Sequence, residues 1–264
     1  ETQKANNPFA VTRVWEKSEW LSDPGRAFTI NTVMLEAFNQ TPKFDHGLTS
    51  SRIWERFRLQ ADETGSWILF SRWVKADRID MYAVYPDGSI VSSSAGSSLK
   101  KEEQPFRHRR PTFELRLQEN EPVDVYISTD SRSKIHTDIR LTGTLQYVQD
   151  SLRDERILFL VFGAIIALAF YNLTVFLSTK DRNYLYYFLY IFFMLMYDIT
   201  VEGFGRYYLW PDWDWMFPRD YNIFMSLSFV FVLFFARSFL NLKEFSHRLY
   251  TASTVGIGIF LVNA

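Results

Sequence analysis

Residues 157–177 read ILFLVFGAIIALAFYNLTVFL and contain no charged side chain over 21 consecutive positions. An α-helix rises about 1.5 Å per residue, so a helix of this length would be roughly 31 Å long, which matches the hydrocarbon core of a bilayer. The stretch therefore predicts a membrane-spanning helix. The alternative is a fully buried helix of a soluble protein, but such helices seldom run this far without a charge.

Three more apolar segments follow, at residues 184–201, 221–240 and 249–264. The distribution of charge supports the same interpretation. Of the 29 Lys and Arg and the 30 Asp and Glu in the 264 residues, only seven of each sign lie in residues 157–264. We therefore expect a transmembrane region with spans near 157–177, 184–201, 221–240 and 249–264, the last of them incomplete.

The charges of the connections predict how these spans are oriented. Residues 180–182 and 237–248 hold five basic side chains, whereas residues 202–220 hold two basic side chains and four carboxylates. Because cytoplasmic loops are enriched in Lys and Arg, the first two connections are predicted to face the cytoplasm and the N-terminal domain to lie outside. Arg153 and Arg156, just before the first span, argue weakly against this orientation.

The charged N-terminal half contains short segments of alternating polarity, separated by turns such as Pro86-Asp87-Gly88-Ser89. This pattern is typical of an antiparallel β-sandwich. The candidate strands are residues 52–59, 67–74, 79–85, 112–117, 123–128 and 135–141. We predict a β-sandwich sensor domain at residues 28–145, a lead-in at residues 1–27 and a linker at residues 146–156.

Alternation along each strand assigns two faces. The predicted core consists of Ile53, Phe57, Leu59, Phe113, Leu115, Leu117, Val123, Val125, Ile127, Ile135, Ile139 and Leu141. The candidate ligand-binding residues, on the opposite face, are Trp54, Arg56, Arg58, Arg116, Asp124, Tyr126 and Arg140. Aromatic rings beside guanidinium and carboxylate groups can stack on a sugar ring or hold a carboxylate. The alternatives are a solvated face with cross-strand ion pairs and a dimer contact.

Composition disfavours several functional classes. The chain has no Cys, which excludes disulfides, thiolate nucleophiles and cysteine-ligated metals. Its four His have no metal-binding spacing, and there is no GxSxG motif. The sequence thus predicts no catalytic residue, no metal site and no cofactor. A net charge of -1 with both signs interspersed also argues against a nucleic-acid partner.

Several motifs resemble a known family. In the apolar half these are FYNL at 170–173, DRNYLYY at 181–187 and GRYYLWP at 205–211. In the N-terminal half, HGLTSSRIWERFRL at 46–59 and YPDG at 85–88 continue the likeness. Together they are similar to the bacterial seven-transmembrane receptors with diverse intracellular signalling modules, abbreviated 7TMR-DISM.

The resemblance implies a jelly-roll extracellular domain of that family's second type, similar to carbohydrate-binding modules, followed by a seven-helix bundle. It also implies a cytoplasmic output such as a histidine kinase, a cyclase or a phosphatase. We expect the chain to stop in the fourth span, so any output enzyme would lie beyond Ala264. The expected location is the bacterial cytoplasmic membrane, with the N-terminal domain periplasmic or extracellular.

The leading hypothesis is a signal-transducing receptor. An extracellular ligand, with carbohydrate as one candidate, or a periplasmic protein would bind the sandwich and shift the arrangement of the helices. The alternative is a membrane-tethered carbohydrate-binding or adhesion module without signalling. A transporter is disfavoured, because the spans show neither broken helices nor a chain of ionisable groups. The lipid bilayer is the other expected partner, and a homodimer remains open.

Overall fold

The computed structural model describes residues 2–5, 7–8, 10–106, 108–211, 213, 216 and 219–263. The chain divides into two compact units, Glu1–Leu152 and Arg153–Ala264. Asp212 and Asp214, two of the four carboxylates that enter the charge count of the 202–220 connection, lie outside the described residues.

The first unit contains two main β-sheets. Its strands are β1 (Thr2–Ala5), β2 (Thr12–Arg13), β3 (Glu19–Asp23), β4 (Asp45–Gly47), β5 (Arg52–Ala61), β6 (Gly65–Ser71), β7 (Arg78–Val84), β8 (Ile90–Ala95), β9 (Thr112–Leu117), β10 (Pro122–Asp130), β11 (Ile135–His136) and β12 (Ile139–Gly143). The first sheet has the order β1-β5-β10-β7-β8, with β3 also paired to β5. The second has the order β2-β12-β6-β9, and β4 pairs with β11.

The core of the sandwich is built by strand alternation. Phe57 and Leu59 of β5 and Val125 of β10 meet Leu69 of β6 and Leu115 of β9 in one buried cluster. Every predicted core residue is buried, with no more than 3% of its surface exposed. Full burial of such a side chain contributes about 1.5–3 kcal/mol. The antiparallel pairing of all but β1 and the shared core confirm the predicted β-sandwich.

The outer face of the first sheet carries a second, smaller apolar layer, which corrects the prediction that this face is open to solvent. Trp54 and Tyr126 are buried there beneath residues 21–38, which we call the covering segment. Val33 of this segment is buried against them. It includes the single-turn helix α1 (Ile30–Val33). The carboxylate of Asp23 fixes its entry by accepting hydrogen bonds from the backbone N–H groups of Ala27 and Phe28, at 3.1 and 3.0 Å.

The residues expected to form a lead-in and a linker contain regular secondary structure. Residues 1–27 contain β1, β2 and β3, all paired with strands of the sandwich. These strands are short and lack apolar alternation, so their pairing depends on the neighbouring strands rather than on a pattern of their own. Residues 146–156 are part of a helix, since no Gly or Pro interrupts the chain between residues 144 and 162.

The helices are α2 (Thr144–Thr179), α3 (Arg182–Val201), α4 (Asp220–Phe239), α5 (Leu242–Phe245) and α6 (His247–Asn263). Within the described part of the chain, α2, α3 and α4 are long and apolar enough to cross a membrane. The predicted fourth span falls mostly in α6, which has 17 residues. Asp181 begins α3 by accepting a hydrogen bond from the N–H of Asn183, at 2.9 Å.

Aromatic rings fill the contact between α3 and α4. Tyr186 lies 5.5 Å from Phe234, and Phe193 lies 5.4 Å from Phe231, as measured between ring centroids. The connection that follows α3 forms a π-helical turn at Gly205–Leu209. A side chain at Gly205 would collide with the ring of Trp210, so glycine is required for this packing.

The beginning of α2 belongs to the first unit. Tyr147 packs with Ile68 and Phe70 on the outer face of the second sheet and is 7% exposed. Its hydroxyl lies 2.8 Å from the hydroxyl of Thr112 and 3.1 Å from Nδ1 of His108. The first two turns of this long helix are thus fixed to the sandwich.

The buried position of Trp54 gives a testable expectation. Trp54→Ala should lower the free energy of unfolding of the first unit by about 3–5 kcal/mol, because it leaves a cavity beneath the covering segment. The matched control is Leu35→Ala, in the same segment, where the side chain is 87% exposed. This substitution should change the free energy of unfolding by less than about 0.5 kcal/mol. Both free energies can be measured by unfolding the whole chain with urea in detergent and recording protease resistance at each urea concentration. Equal effects would contradict the buried assignment.

Candidate functional site

A cleft of about 340 Å³ opens at the edge of the first sheet. β10 pairs with one edge of β5 along nearly the whole strand. β1 and β3 share the opposite edge of β5, where the cleft lies. β3 covers that edge as far as Arg56, and the described part of β1 begins opposite Arg58, so Phe57 has no strand partner there among the described residues. The residues lining this β5 cleft are Thr2, Lys17, Glu19, Arg56, Phe57, Arg58, Asp124 and Tyr126.

Arg58 and Asp124 form one wall of the cleft. They lie directly opposite each other on β5 and β10. The guanidinium donates from Nε to Oδ1 at 2.6 Å and from Nη2 to Oδ2 at 2.7 Å, which is the two-pronged geometry typical of an Arg–carboxylate pair. The hydrogen bond to Asp124 raises the pKa of Arg58. With 52% of the Arg58 side chain exposed, the guanidinium is held in place yet accessible.

Arg56 forms the second wall. It lies two residues before Arg58 on β5 and so shares its face of the sheet. Its guanidinium donates to Glu19 of β3 and lies 4.9 Å from the ring centroid of Phe38 in the covering segment. Burial works against its charge, but hydrogen bonds to Glu19 and Tyr126 outweigh this effect and raise the pKa of Arg56. The ring of Tyr126 is itself packed edge-on against Phe38, with centroids 6.2 Å apart. The covering segment therefore holds both polar groups in position.

Among the described residues that line the cleft, basic side chains outnumber acidic ones. Its lining contains three cations, Lys17, Arg56 and Arg58, and two carboxylates, Glu19 and Asp124. The hydroxyl-bearing side chains of Thr2 and Tyr126 also line it. Fixed guanidinium groups suit carboxylate and phosphate oxygens, and carboxylates and hydroxyls accept hydrogen bonds from sugar-like hydroxyl groups. The arrangement can hold a small anion that also carries hydroxyl groups.

The structure brings together four of the seven predicted site residues. Arg56, Arg58, Asp124 and Tyr126 all line the β5 cleft. Trp54 shares their face of the sheet but is 1% exposed, so it cannot stack on a ligand.

The other two predicted residues lie in the second sheet. Arg116 is on β9 and Arg140 on β12, and Arg140 donates to the carboxylate of Asp138 at 2.9 and 3.0 Å. A sandwich has two outer faces, and alternation alone does not show which strands share one. The prediction merged residues of both faces for this reason.

Sequence reasoning missed Thr2, Lys17 and Glu19. All three lie in the region predicted to be a lead-in, where the sequence has no alternating apolar pattern. Their place in the cleft depends on how β1 and β3 pair with β5. Among the described residues there is no group of three or more His, Asp or Glu side chains arranged to hold a metal ion.

Comparison with known proteins gives two kinds of match, whereas a search of curated proteins gives none. Among solved structures, the chain is similar to CBM35 from Cellvibrio japonicus Abf62, with 10% identity, a TM-score of 0.29 and coverage of 51% of this chain and 92% of that one. It is also similar to a family 35 carbohydrate binding module from Clostridium thermocellum, with 9% identity, a TM-score of 0.24 and coverage of 51% and 98%.

Two family profiles match consecutive parts of the sequence. The profile described as 7TMR-DISM extracellular 2 matches residues 16–143, and the profile described as 7TM diverse intracellular signalling matches residues 154–264. Both describe receptor domains rather than enzymes, and they agree with the motifs in the two halves of the sequence. The chain is therefore a membrane protein of the 7TMR-DISM family, with an N-terminal β-sandwich of the second extracellular type followed by helices of its membrane domain.

Proposed function

We propose that this chain is the sensing and membrane part of a signal-transducing receptor, in which a small ligand binds the β5 cleft from outside the cell membrane. Binding would shift the arrangement of the helices and so control a cytoplasmic output module. The family supports the receptor role. The observation that carries the site is the pair of held but accessible guanidinium groups, Arg56 and Arg58, in one cleft.

The guanidinium groups of the cleft favour an anionic ligand over a neutral one. Glu19 and Asp124 hold Arg56 and Arg58 in place, and 34% and 52% of these two arginine side chains stay exposed. A carboxylate-bearing ligand can accept hydrogen bonds from such fixed guanidinium groups. Carboxylates and hydroxyls around it then bind hydroxyl groups, so a sugar acid or a hydroxy acid fits this chemistry better than a neutral sugar.

The connection between the sandwich and the membrane region suits a receptor. β12 ends at Gly143 and α2 begins at Thr144, so no loop separates the last strand from the helix. Tyr147 holds the first turns of α2 against the second sheet, and the helix continues without interruption to Thr179. A ligand that binds one arrangement of the sandwich better than another can bias such a helix. A passive tether does not require this stiffness.

We further propose that the outer domain begins at β1 rather than at residue 28, and that the protein lies in the cytoplasmic membrane with this domain on the periplasmic or extracellular side. The basic connections at 180–182 and 237–248 support this orientation by the positive-inside rule.

Orientation can be tested with single cysteines, because the chain has none. In intact cells, a membrane-impermeant maleimide should label Ser92→Cys, on the exposed part of β8, but not Ser178→Cys, at the exposed end of α2. After permeabilisation both should react. Labelling of Ser178→Cys alone in intact cells would reverse the proposed orientation.

The ligand site can be tested with paired probes. Galacturonate, gluconate and malate should raise the melting temperature of the purified chain, whereas galactose and glycerol should not, because only the first three carry a carboxylate. Arg58→Ala should weaken binding of a responding probe by at least about tenfold, since it removes a charge-assisted hydrogen-bond donor.

Arg116→Ala is the matched control, because it removes an exposed arginine of the second sheet. It should leave the affinity unchanged. The proposed cleft is wrong if both substitutions weaken binding equally. An anionic ligand is ruled out if the neutral probes stabilise the chain as well as the acids do.

A further inference from the structure

Glu55 is a carboxyl group in the interior of the sandwich. β5 alternation turns it inward with Ile53 and Phe57, and 1% of its surface is exposed. Its Oε1 accepts a hydrogen bond from Oγ1 of Thr137 at 2.7 Å and a longer one from Oγ of Ser18 at 3.5 Å. Its Oε2 is buried and has no hydrogen-bond partner. An ionised carboxylate in this position would lack compensation for the water it has lost.

No cation compensates for that loss among the described residues. The side chains directly opposite Glu55 are Ile127 on β10 and Trp20 on β3. The charged groups of the adjoining segments have other contacts. Lys17 and Glu19 line the cleft, and Glu16 pairs with Arg13. Asp45 pairs with Lys134 and His136, His46 packs edge-on against Trp20, and Asp138 pairs with Arg140.

Two chain segments meet at this carboxyl group, and one of them lines the cleft. Ser18 lies between the cleft residues Lys17 and Glu19, and its hydroxyl lies 3.5 Å from Glu55 and 3.0 Å from the carbonyl oxygen of Trp15. Thr137 lies between β11 and β12, and its backbone N–H donates to the carbonyl of Phe44 at 2.8 Å. Glu55 therefore joins the cleft-lining segment to the loop that precedes the last strand. Its neighbour in sequence, Arg56, is itself a cleft residue.

We propose that Glu55 is a proton-operated latch of the β5 cleft. The protonated carboxyl group holds Ser18 and Thr137 and keeps Lys17 and Glu19 in their binding positions. Loss of the proton leaves a buried charge that the hydrogen bonds from the two hydroxyl groups do not compensate, so water enters, the contact with Ser18 opens, and Lys17 and Glu19 move out of position. The inference rests on the proposed function only in taking the β5 cleft as the ligand site; the latch itself is a property of the free protein.

The titration of Glu55 fits this assignment. Burial raises its pKa from 4.5 to about 8, against the opposing effect of the hydrogen bonds from Thr137 and Ser18. Below pH 4.5 the group is neutral whether the segment is closed or open. Between pH 4.5 and about 8 only the open, solvated form loses its proton, so the closed form becomes progressively less favoured as the pH rises. Well above pH 8 both forms are ionised and the effect no longer grows.

Hydrogen exchange of the free chain in lipid nanodiscs tests the latch without any ligand. Protection of the backbone amides of residues 14–20 and 135–139, corrected for intrinsic exchange, should fall by up to about tenfold per pH unit between pH 6 and 8. It should then level off by pH 9.5. Glu55→Gln, which cannot ionise, should remove this dependence. Glu114→Gln, a substitution of an exposed glutamate on β9, should retain it.

A second variant covers the case in which Glu55→Gln does not fold. Ser18→Ala removes the contact with the cleft segment and leaves Glu55 buried, so residues 14–20 should exchange rapidly even at pH 6 while residues 135–139 remain protected. The latch is refuted if wild-type protection is independent of pH from 6 to 9.5. It is equally refuted if Glu55→Gln keeps the wild-type dependence or if Ser18→Ala changes nothing.

Galacturonate binding separates this inference from the proposed function. If both are correct, wild-type affinity falls as the pH rises from 6 to 8, and Glu55→Gln binds equally at each pH. If galacturonate does not bind at any pH while exchange shows the expected titration, the ligand assignment fails and the latch stands. If galacturonate binds with an affinity that does not depend on pH, and exchange is equally insensitive, the latch alone fails.

Discussion

The alternation of side chains between the two faces of β5 is the constraint on which the structure of the first unit depends. One strand of ten residues supplies Phe57 and Leu59 to the main core, Trp54 to the layer beneath the covering segment, and Arg58 to the cleft. A shift of one residue in its pairing with β10 would exchange these roles, placing charged side chains in the core. The three pairing partners of β5 fix that register, and the cleft exists only because two of them share an edge.

Burial of Trp54 and accessibility of Arg56 and Arg58 have one cause. The covering segment crosses the outer face of the first sheet and encloses the part of β5 near Trp54. Phe38, toward its end, contacts both Arg56 and Tyr126, so the segment stops where the cleft begins. The apolar residues of the segment thus pack on the sandwich and also hold the polar groups of the cleft at fixed positions.

Much of this architecture was predictable from local patterns, and the failures have a common origin. Uninterrupted apolar runs gave α2, α3 and α4, and alternation gave the buried core, because both depend on periodicity within a segment. The burial of Trp54 was not predicted because a chain segment distant in sequence covers it. Lys17 and Glu19 were missed because the pairing of β3 with β5 brings them to the cleft. Contacts between segments that carry no pattern of their own cannot be deduced from periodicity.

The adjacency of Glu55 and Arg56 shows how one strand links the interior to the β5 cleft. Alternation places the carboxyl group inside and the guanidinium outside, so any change in the backbone of β5 affects both. β3 carries the same link in parallel, since Ser18 precedes Glu19, which binds Arg56. The other hydroxyl group that donates to Glu55 belongs to Thr137, which lies two residues before β12. β12 leads directly into α2. The proton site, the cleft and the start of the membrane helix are therefore joined by short segments of strand, which transmit small displacements better than flexible loops do.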